Sequence, residues 1–146
     1  MRMCLELAEI AWKRGEAAVG AVIVRDDAVL AKAIEGVRAQ HDIARHAEMD
    51  AIRRACEILQ TIDLSGCTLY TNVEPCFMCS YAIRACRIDT VIFGAPVYTV
   101  GGFSSHFPVL RTNAVPNWGR PPKIAQGILR EECEAVRNMP KQESKL

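Results

Sequence analysis

Three residues of this chain combine the types and the spacing of ligands for a soft metal ion. His46 precedes Cys76 by thirty positions, and Cys79 follows three positions later. Residues three apart share one face of a helix, so two sulfurs at a helix start can face one point. Two thiolates and an imidazole favour Zn²⁺ over Mg²⁺ or Ca²⁺. Three protein ligands leave the fourth tetrahedral position open, which is typical of a catalytic zinc site.

Glu48 lies two residues after His46 and is the candidate acid–base group. In an ideal helix the two side chains are roughly 200° apart, so we expect His46 to lie at or before the first turn. Zinc lowers the pKa of a bound water from about 15.7 toward about 7, and a carboxylate can pass that proton to a leaving nitrogen. The pattern predicts one Zn²⁺ per chain with a bound water or hydroxide, and hydrolytic loss of ammonia.

The apolar spacing of the chain predicts the elements that must position these residues. Apolar residues recur at helical spacing after His46, for example at Met49, Ile52 and Leu59. Two β-branched segments around Asp26-Asp27 predict a hairpin, and the later alternation of strand and helix favours parallel pairing. We expect one three-layer α/β/α domain over residues 1–146, with a mixed sheet of about five strands. The predicted helices are 1–14, 46–59, 76–87 and 129–138, and the predicted strands are 18–24, 29–34, 68–72, 90–93 and 124–127.

Residues 95–122 contain five prolines and no regular apolar pattern. A long irregular segment within a compact domain is usually a lid or a binding loop, so we predict an active-site lid here. Phe103, Phe107 and Trp118 are candidates for stacking on a base, although packing the lid onto the core is the alternative. His106 is either a pocket residue or a solvated side chain of the lid. Residues 139–146 are predicted to form a polar tail.

Composition excludes several classes of protein. The chain has 146 residues, of which 50% are hydrophobic and 24% charged, with a net charge of +1; this excludes disordered and low-complexity classes. The apolar run 17–24 is far shorter than the roughly 20 residues that cross a bilayer. The N-terminal segment carries charges within its apolar stretch, unlike a signal peptide. We therefore expect a cytoplasmic protein without a membrane partner.

The cysteine count favours free thiols or metal ligands over disulfides. There are seven cysteines, an odd number, and the sequence has no export signal. A single cysteine among apolar neighbours usually behaves as a small buried hydrophobe. Outside the metal pair we therefore expect five core cysteines: Cys4, Cys56, Cys67, Cys86 and Cys133.

His46-Ala47-Glu48 followed by Pro75-Cys76 and Cys79 is the signature of zinc nucleobase deaminases, and the resemblance extends beyond these motifs. The chain resembles the cytidine/deoxycytidylate deaminase-like superfamily, and in particular bacterial tRNA adenosine deaminases and guanine deaminases. The resemblance implies the cytidine deaminase-like fold, a homodimer, and a substrate ring held by groups near Ala47 and Glu74. Further segments that carry it are Val19-Gly20-Ala21-Val22, His41-Asp42, Thr68-Leu69-Tyr70, Phe93-Gly94-Ala95 and Gly102-Phe103.

The resemblance also singles out Glu35 as a substrate-binding candidate. The tRNA-editing and guanine enzymes typically have a substrate-binding asparagine at the end of the second strand, and alignment on His41-Asp42 places Glu35 there. Asparagine can donate and accept, whereas an ionised glutamate only accepts. The atom facing Glu35 is then expected to be an N–H, an amino group or a cationic ring nitrogen.

Three functions are consistent with these residues. We favour a zinc-dependent hydrolytic deaminase of a free nucleobase or related amino-heterocycle, with a small-molecule substrate. The alternative is a tRNA adenosine-to-inosine deaminase acting at the wobble position. A catalytically silent zinc scaffold is disfavoured, because such a site has no use for Glu48. A basic stretch favours the tRNA alternative through phosphate contacts, with cations at Arg111, Arg120, Lys123 and Arg130.

Overall fold

The computed structural model describes residues 1–142, and its elements follow the predicted order. Two short elements within these residues were not predicted: α2 (Val37–Gln40) and a 3-10 turn (Pro116–Trp118). The other helices are α1 (Arg2–Lys13), α3 (Ala47–Leu59), α4 (Phe77–Ala85) and α5 (Arg130–Arg137), and the strands are β1 (Gly20–Arg25), β2 (Ala28–Ile34), β3 (Cys67–Val73), β4 (Thr90–Ala95) and β5 (Lys123–Gln126).

The five strands form one mixed sheet in the order β2-β1-β3-β4-β5. β1 is antiparallel to both β2 and β3, whereas β3, β4 and β5 are parallel. Asp26 and Asp27 both have left-handed backbone, with φ of 51° and 59°, which matches the twist that a tight hairpin turn requires. The predicted fold class and the mixed sheet of five strands are confirmed.

Helices cover both faces of the sheet. α3 contacts β1, β2 and α4 on one face, and α1 contacts β1 and α5 on the other. A Cβ added at Gly20 would lie 2.5 Å from the Cys4 carbonyl oxygen of α1, so glycine permits the close approach of that helix. The main core lies between the sheet and α3 and α4, and includes Ile23, Leu69, Ile83, Val91 and Phe93.

Four strands end at the same edge of the sheet. Because β2 runs antiparallel to β1, it runs in the direction of β3, β4 and β5. Ile34, Val73, Ala95 and Gln126 therefore end together at what we call the carboxyl edge. Ligands of open α/β sheets bind outside the carboxyl ends of strands, so this edge is where a site is expected.

Arg84 fixes the predicted lid to the C-terminal part of α4. Arg84 is only 3% exposed. Its guanidinium donates hydrogen bonds to the carbonyls of Val109, Thr112 and Gly119. The guanidinium also lies 5.5 Å from the ring centre of Trp118. One buried cation thus holds three separate points of segment 95–122.

The structure also describes the predicted core cysteines and the first residues of the predicted tail. All seven cysteines are unpaired; Cys4, Cys67 and Cys133 are buried as predicted, whereas Cys56 and Cys86 are half-buried. Pro140, in the predicted tail, accepts a hydrogen bond from the Trp12 indole at 2.7 Å, and residues 143–146 lie outside the described part. Within residues 1–142, none of the helices combines the length and apolarity needed to cross a membrane.

Candidate metal centre and active site

Two helix starts bring the predicted metal donors together at the carboxyl edge. His46 immediately precedes α3 and Cys76 immediately precedes α4, and both have extended backbone. Cys79 lies in the first turn of α4. His46 Nδ1 is 3.6 Å from Cys76 Sγ and 3.6 Å from Cys79 Sγ. The three donor atoms lie within 4.8 Å of one another, so one ion can contact them all.

The spacing of these donors fits zinc. With Zn–S near 2.3 Å and Zn–N near 2.0–2.1 Å, tetrahedral angles place nitrogen and sulfur roughly 3.5 Å apart. The observed separations are 3.6 Å. Two sulfurs and one imidazole are also the donor types that zinc prefers. The residues present therefore fit a zinc ion held by Nδ1 of His46 and by the two thiolates.

The electrostatics of the cluster favour one thiolate even before a metal ion binds. A hydrogen bond from Cys79, reinforced by His46, lowers the pKa of Cys76 to about 4. The same contact with Cys76, together with burial, raises the pKa of Cys79, and the Cys76 contact raises that of His46 to about 9. The protein thus presents one anionic sulfur, and a bound cation is needed to ionise the second.

Glu48 lies buried beside the donors, with 3% of the residue exposed. Its Oε1 accepts a hydrogen bond from Thr71 Oγ1 at 3.1 Å, and its Oε2 is 3.7 Å from Cys79 Sγ. Burial, with the nearby negative charges of Glu35 and Cys76, raises the pKa of Glu48 to about 7. A carboxyl group with this pKa can both accept and release a proton near neutral pH.

Glu35 and Ala47 contact each other on the side of His46 that faces away from the cysteines. Glu35 is 7% exposed and follows the last residue of β2 at the carboxyl edge. Its Oε2 accepts the Ala47 N–H at 3.1 Å, and its Oε1 lies 4.0 Å from His46 Nε2. Burial raises the pKa of Glu35 from its usual range. The resemblance implies that backbone groups near Ala47 help to hold a substrate ring; the N–H of Ala47 itself donates to the Glu35 carboxylate.

The carboxylate of Glu74 holds the lid. Glu74 is 3% exposed and accepts hydrogen bonds from the backbone N–H groups of Val97, Phe103 and Ser104 at 2.7–2.8 Å. A Cβ added at Gly101 would lie 2.3 Å from Glu74 Oε1, so glycine allows the lid backbone to approach the carboxylate. The predicted substrate residue Glu74 lies beside the metal donors, and its side chain anchors segment 95–122 there.

The predicted lid residues occupy different places. Phe103 is half-buried, with its ring edge-on to Phe93 at 6.1 Å between ring centres, and its N–H is held next to the metal donors by Glu74. His106 is exposed on the lid. Trp118 packs against Tyr81 and Arg84, so it lies near the C-terminal end of α4, whereas the cysteine ligands lie at its start. The structure thus separates Trp118 from the metal donors along α4.

The sequence did not point to two buried polar residues, one in the site and one beyond it. Thr71 orients Glu48 in the site, whereas Glu16, 6% exposed, accepts the N–H groups of Arg38 and Ala39 in α2. Threonine inside a strand and a lone glutamate after a helix are common on solvated surfaces. Only their burial distinguishes Thr71 and Glu16 from such solvated residues, and burial cannot be read from the sequence.

The N-terminal two thirds of the chain match a known protein family. Residues 1–95 match the family described as the cytidine and deoxycytidylate deaminase zinc-binding region. The matched segment contains all three metal donors and Glu48. It ends at the last residue of β4, before the lid.

Whole-chain comparisons find relatives with two kinds of substrate in their names. The chain is 44% identical over 110 residues to a tRNA-specific adenosine deaminase of Aquifex aeolicus, covering 75% of this chain and 73% of the relative. A solved structure from work on A-to-I editing by tRNA:A34 deaminases is 34% identical, with TM-score 0.85 and coverage of 93% and 96%. Guanine deaminase from Bacillus subtilis is 29% identical, with TM-score 0.61 and coverage of 99% and 96%.

The donor set predicts which substitutions remove zinc. We expect one zinc per purified chain by elemental analysis, near-complete loss of zinc in Cys76→Ser and Cys79→Ser, and full occupancy in Glu48→Gln, because Glu48 is not a ligand. Cys56→Ser, which alters a half-buried thiol outside the donor set, is the matched control and should keep its zinc. Retention of stoichiometric zinc by Cys79→Ser would contradict the assignment.

Removal of the Glu74 charge should release the lid. Glu74→Gln replaces one acceptor oxygen by an NH₂ group facing backbone N–H donors, at an expected cost of about 1–3 kcal/mol in unfolding free energy. Hydrogen exchange at Val97, Phe103 and Ser104 should accelerate, while exchange in β1 and β3 stays slow. Glu134→Gln, which removes the partner of Arg130 on α5, should leave the lid amides unchanged. Equal lid protection in both variants would refute this role.

Proposed function

The chain belongs to the cytidine and deoxycytidylate deaminase zinc-binding family, and from this premise we propose that it converts adenosine to inosine at the wobble position of tRNA. The protein is a zinc-dependent hydrolytic deaminase that acts on C–N bonds. The substrate proposal is carried by the near end-to-end likeness to the tRNA:A34 deaminase structure, because that likeness covers 93% of this chain, well beyond the family match over residues 1–95.

The side chains around the metal centre supply the proton transfers that deamination requires. His46, Cys76 and Cys79 would hold a zinc ion, which when bound would supply an activated water molecule as the nucleophile. The Glu48 carboxylate accepts a proton and delivers it to the departing amine. Thr71 holds Oε1 of Glu48 at 3.1 Å, which leaves Oε2 on the side of the sulfurs. Water and the exocyclic amine are consumed, and a ring carbonyl and ammonia are formed.

A basic cleft at the carboxyl edge supports an RNA substrate. Arg111 and Arg130 line a cavity of about 520 Å³ beside the lid residue Phe103. Both arginines are exposed, and the cavity opens at the ends of β4 and β5, on the same edge as the metal donors. We assign this cleft to the phosphate backbone next to the target nucleotide, since backbone contacts of this type supply most sequence-independent affinity for nucleic acid. Since tRNA is the proposed substrate, we place the protein in the cytoplasm.

A free nucleobase or related amino-heterocycle is the second candidate substrate. The observation that favours it is the likeness to guanine deaminase from Bacillus subtilis, which is 29% identical and covers 99% of this chain. The sequence analysis favoured a free nucleobase over tRNA as the substrate, whereas the names of the relatives favour tRNA. The silent-scaffold reading is disfavoured, because Glu48 lies buried within reach of the donor set.

An exposed aromatic surface on α4 and the lid supports the proposed homodimer. Phe77 packs edge-on against Phe107, and Tyr81 against Trp118. Tyr81 remains 54% exposed and Phe107 70% exposed. Aromatic residues are enriched in the buried centres of protein interfaces. We propose that a second copy of the chain covers this surface.

The substrate assignment is tested by two parallel assays on zinc-loaded protein. We expect inosine formation in an anticodon stem-loop with adenosine at the wobble position, and no ammonia release from free adenine, guanine, cytosine or their nucleosides. Glu48→Gln should reduce turnover by about 10²–10⁴ while it keeps its zinc. Ammonia release from a free base without editing of the stem-loop would overturn the tRNA proposal in favour of the second candidate.

The dimer is tested by a charge placed on its proposed interface. Tyr81→Glu should weaken self-association by roughly 30-fold, the effect of losing about 2 kcal/mol at an interface centre, as measured by sedimentation velocity over a concentration series. Ile62→Glu introduces the same charge at a side chain that is 76% exposed elsewhere and should leave association unchanged. A wild-type protein that is monomeric at all concentrations would refute the proposal.

A further inference from the structure

Glu35 contacts two consecutive residues at the start of α3, and these contacts use both of its carboxylate oxygens. Oε2 accepts the N–H of Ala47 at 3.1 Å, and Oε1 lies 4.0 Å from Nε2 of His46. The side chain is 9% exposed. The backbone N–H of Glu35 itself donates a hydrogen bond to the carbonyl of Val19. The carboxylate is therefore held rigidly between the end of β2 and the helix that carries the metal-binding histidine.

The two nitrogens of the His46 ring face different partners. Nδ1 faces the sulfurs of Cys76 and Cys79 at 3.6 Å each, and Nε2 faces Glu35. A metal ion at Nδ1 needs the lone pair of that nitrogen, so the ring proton must reside on Nε2. Histidine ligands commonly direct this second N–H toward a carboxylate, which fixes the tautomer and the ring orientation. At 4.0 Å the contact here is electrostatic and longer than a hydrogen bond.

The start of α3 depends on the same carboxylate. The first N–H groups of a helix have no partner within the helix. His46 occupies the capping position, but its side chain makes no capping hydrogen bond, because the imidazole is turned toward the cysteines. Glu35 supplies a charged acceptor for Ala47 from outside the helix, at the end where negative charge is favourable. The side chain of His46 can therefore bind the metal, while the hydrogen bond from Ala47 to Glu35 holds the backbone next to it.

We infer that Glu35 is a positioning residue of the zinc centre, which holds His46 in the Nε2–H tautomer and anchors its backbone through Ala47. This role rests on the proposed zinc chemistry, but it is independent of which amine-bearing ring is the substrate. It differs from the substrate contact that the resemblance implies for this position. A substrate contact changes substrate preference at constant zinc affinity, whereas a positioning role changes zinc affinity without any substrate present.

Zinc affinity is the direct test. The zinc-loaded protein and its variants are titrated with a chromophoric chelator that competes for Zn²⁺. Loss of an outer partner of a histidine ligand typically lowers metal affinity 10–100-fold, and we expect a loss of this size for Glu35→Gln. Glu35→Ala should lose at least as much, and Glu35→Asp, which keeps the charge one methylene further away, should lose less than Glu35→Gln.

Glu16→Gln is the matched control. Glu16 is also a buried glutamate that accepts backbone N–H groups, here from Arg38 and Ala39, yet it contacts none of the metal donors. It should change thermal stability as much as Glu35→Gln does while leaving zinc affinity unchanged. If Glu35→Ala fails to fold, as judged by circular dichroism, the Gln and Asp variants still decide the question.

A spectroscopic signature separates positioning from a general structural role. In long-range ¹H–¹⁵N spectra of the imidazoles, zinc-loaded wild type should show His46 with its proton on Nε2. Glu35→Gln should shift that Nε2 resonance and speed its exchange with water, whereas His41 and His106 stay unchanged. Unchanged zinc affinity and an unchanged His46 spectrum in Glu35→Gln would overturn the inference. Failure of the editing assay alone would not, because neither measurement uses a substrate.

Discussion

Extended backbone at the two residues that precede α3 and α4 is the constraint on which the site depends. His46 and Cys76 both have this conformation, which turns their side chains toward each other instead of along their own helices. The sheet then sets the distance between them, because β2 and β3 run in the same direction and end at the same edge. A change in the register of either strand would move one donor by about 3.3 Å or more, which is larger than the tolerance of a zinc–sulfur bond.

Buried carboxylates organise the surroundings of this centre by accepting backbone N–H groups. Glu35 anchors the start of α3, Glu16 anchors α2, and Glu74 anchors three points of the lid. A charged acceptor gives a stronger hydrogen bond than a neutral one, and it is buried here at positions where the chain has no regular partner. Two helices and the lid are therefore anchored by single side chains, in contrast to the sheet, whose order comes from a ladder of backbone hydrogen bonds.

The sequence predicted those features that depend on local spacing. The hairpin, the helix after His46 and the Cys76/Cys79 pair follow from neighbours within a few residues, and the structure contains them with boundaries shifted by one or two positions. The roles of Glu74 and Arg84 could not be predicted, because their partners lie 23 to 35 residues away in an irregular segment. Trp118 illustrates the same limit: its aromatic type left base contact and lid packing open, and the path of the lid packs its ring against Tyr81 and Arg84 of α4.

The pairing of β1 with β3 has a consequence for the order of events during folding. β1 meets β2 through a two-residue turn, but its other neighbour, β3, follows a long segment that contains α3, since Ala21 pairs with Thr71. Closing such a loop costs chain entropy before it gains contacts. The histidine lies inside this loop and the cysteines follow its closing strand, so the three donors can meet only where β3 is docked on β1. Closure of this loop is therefore a geometric precondition for the complete set of metal donors.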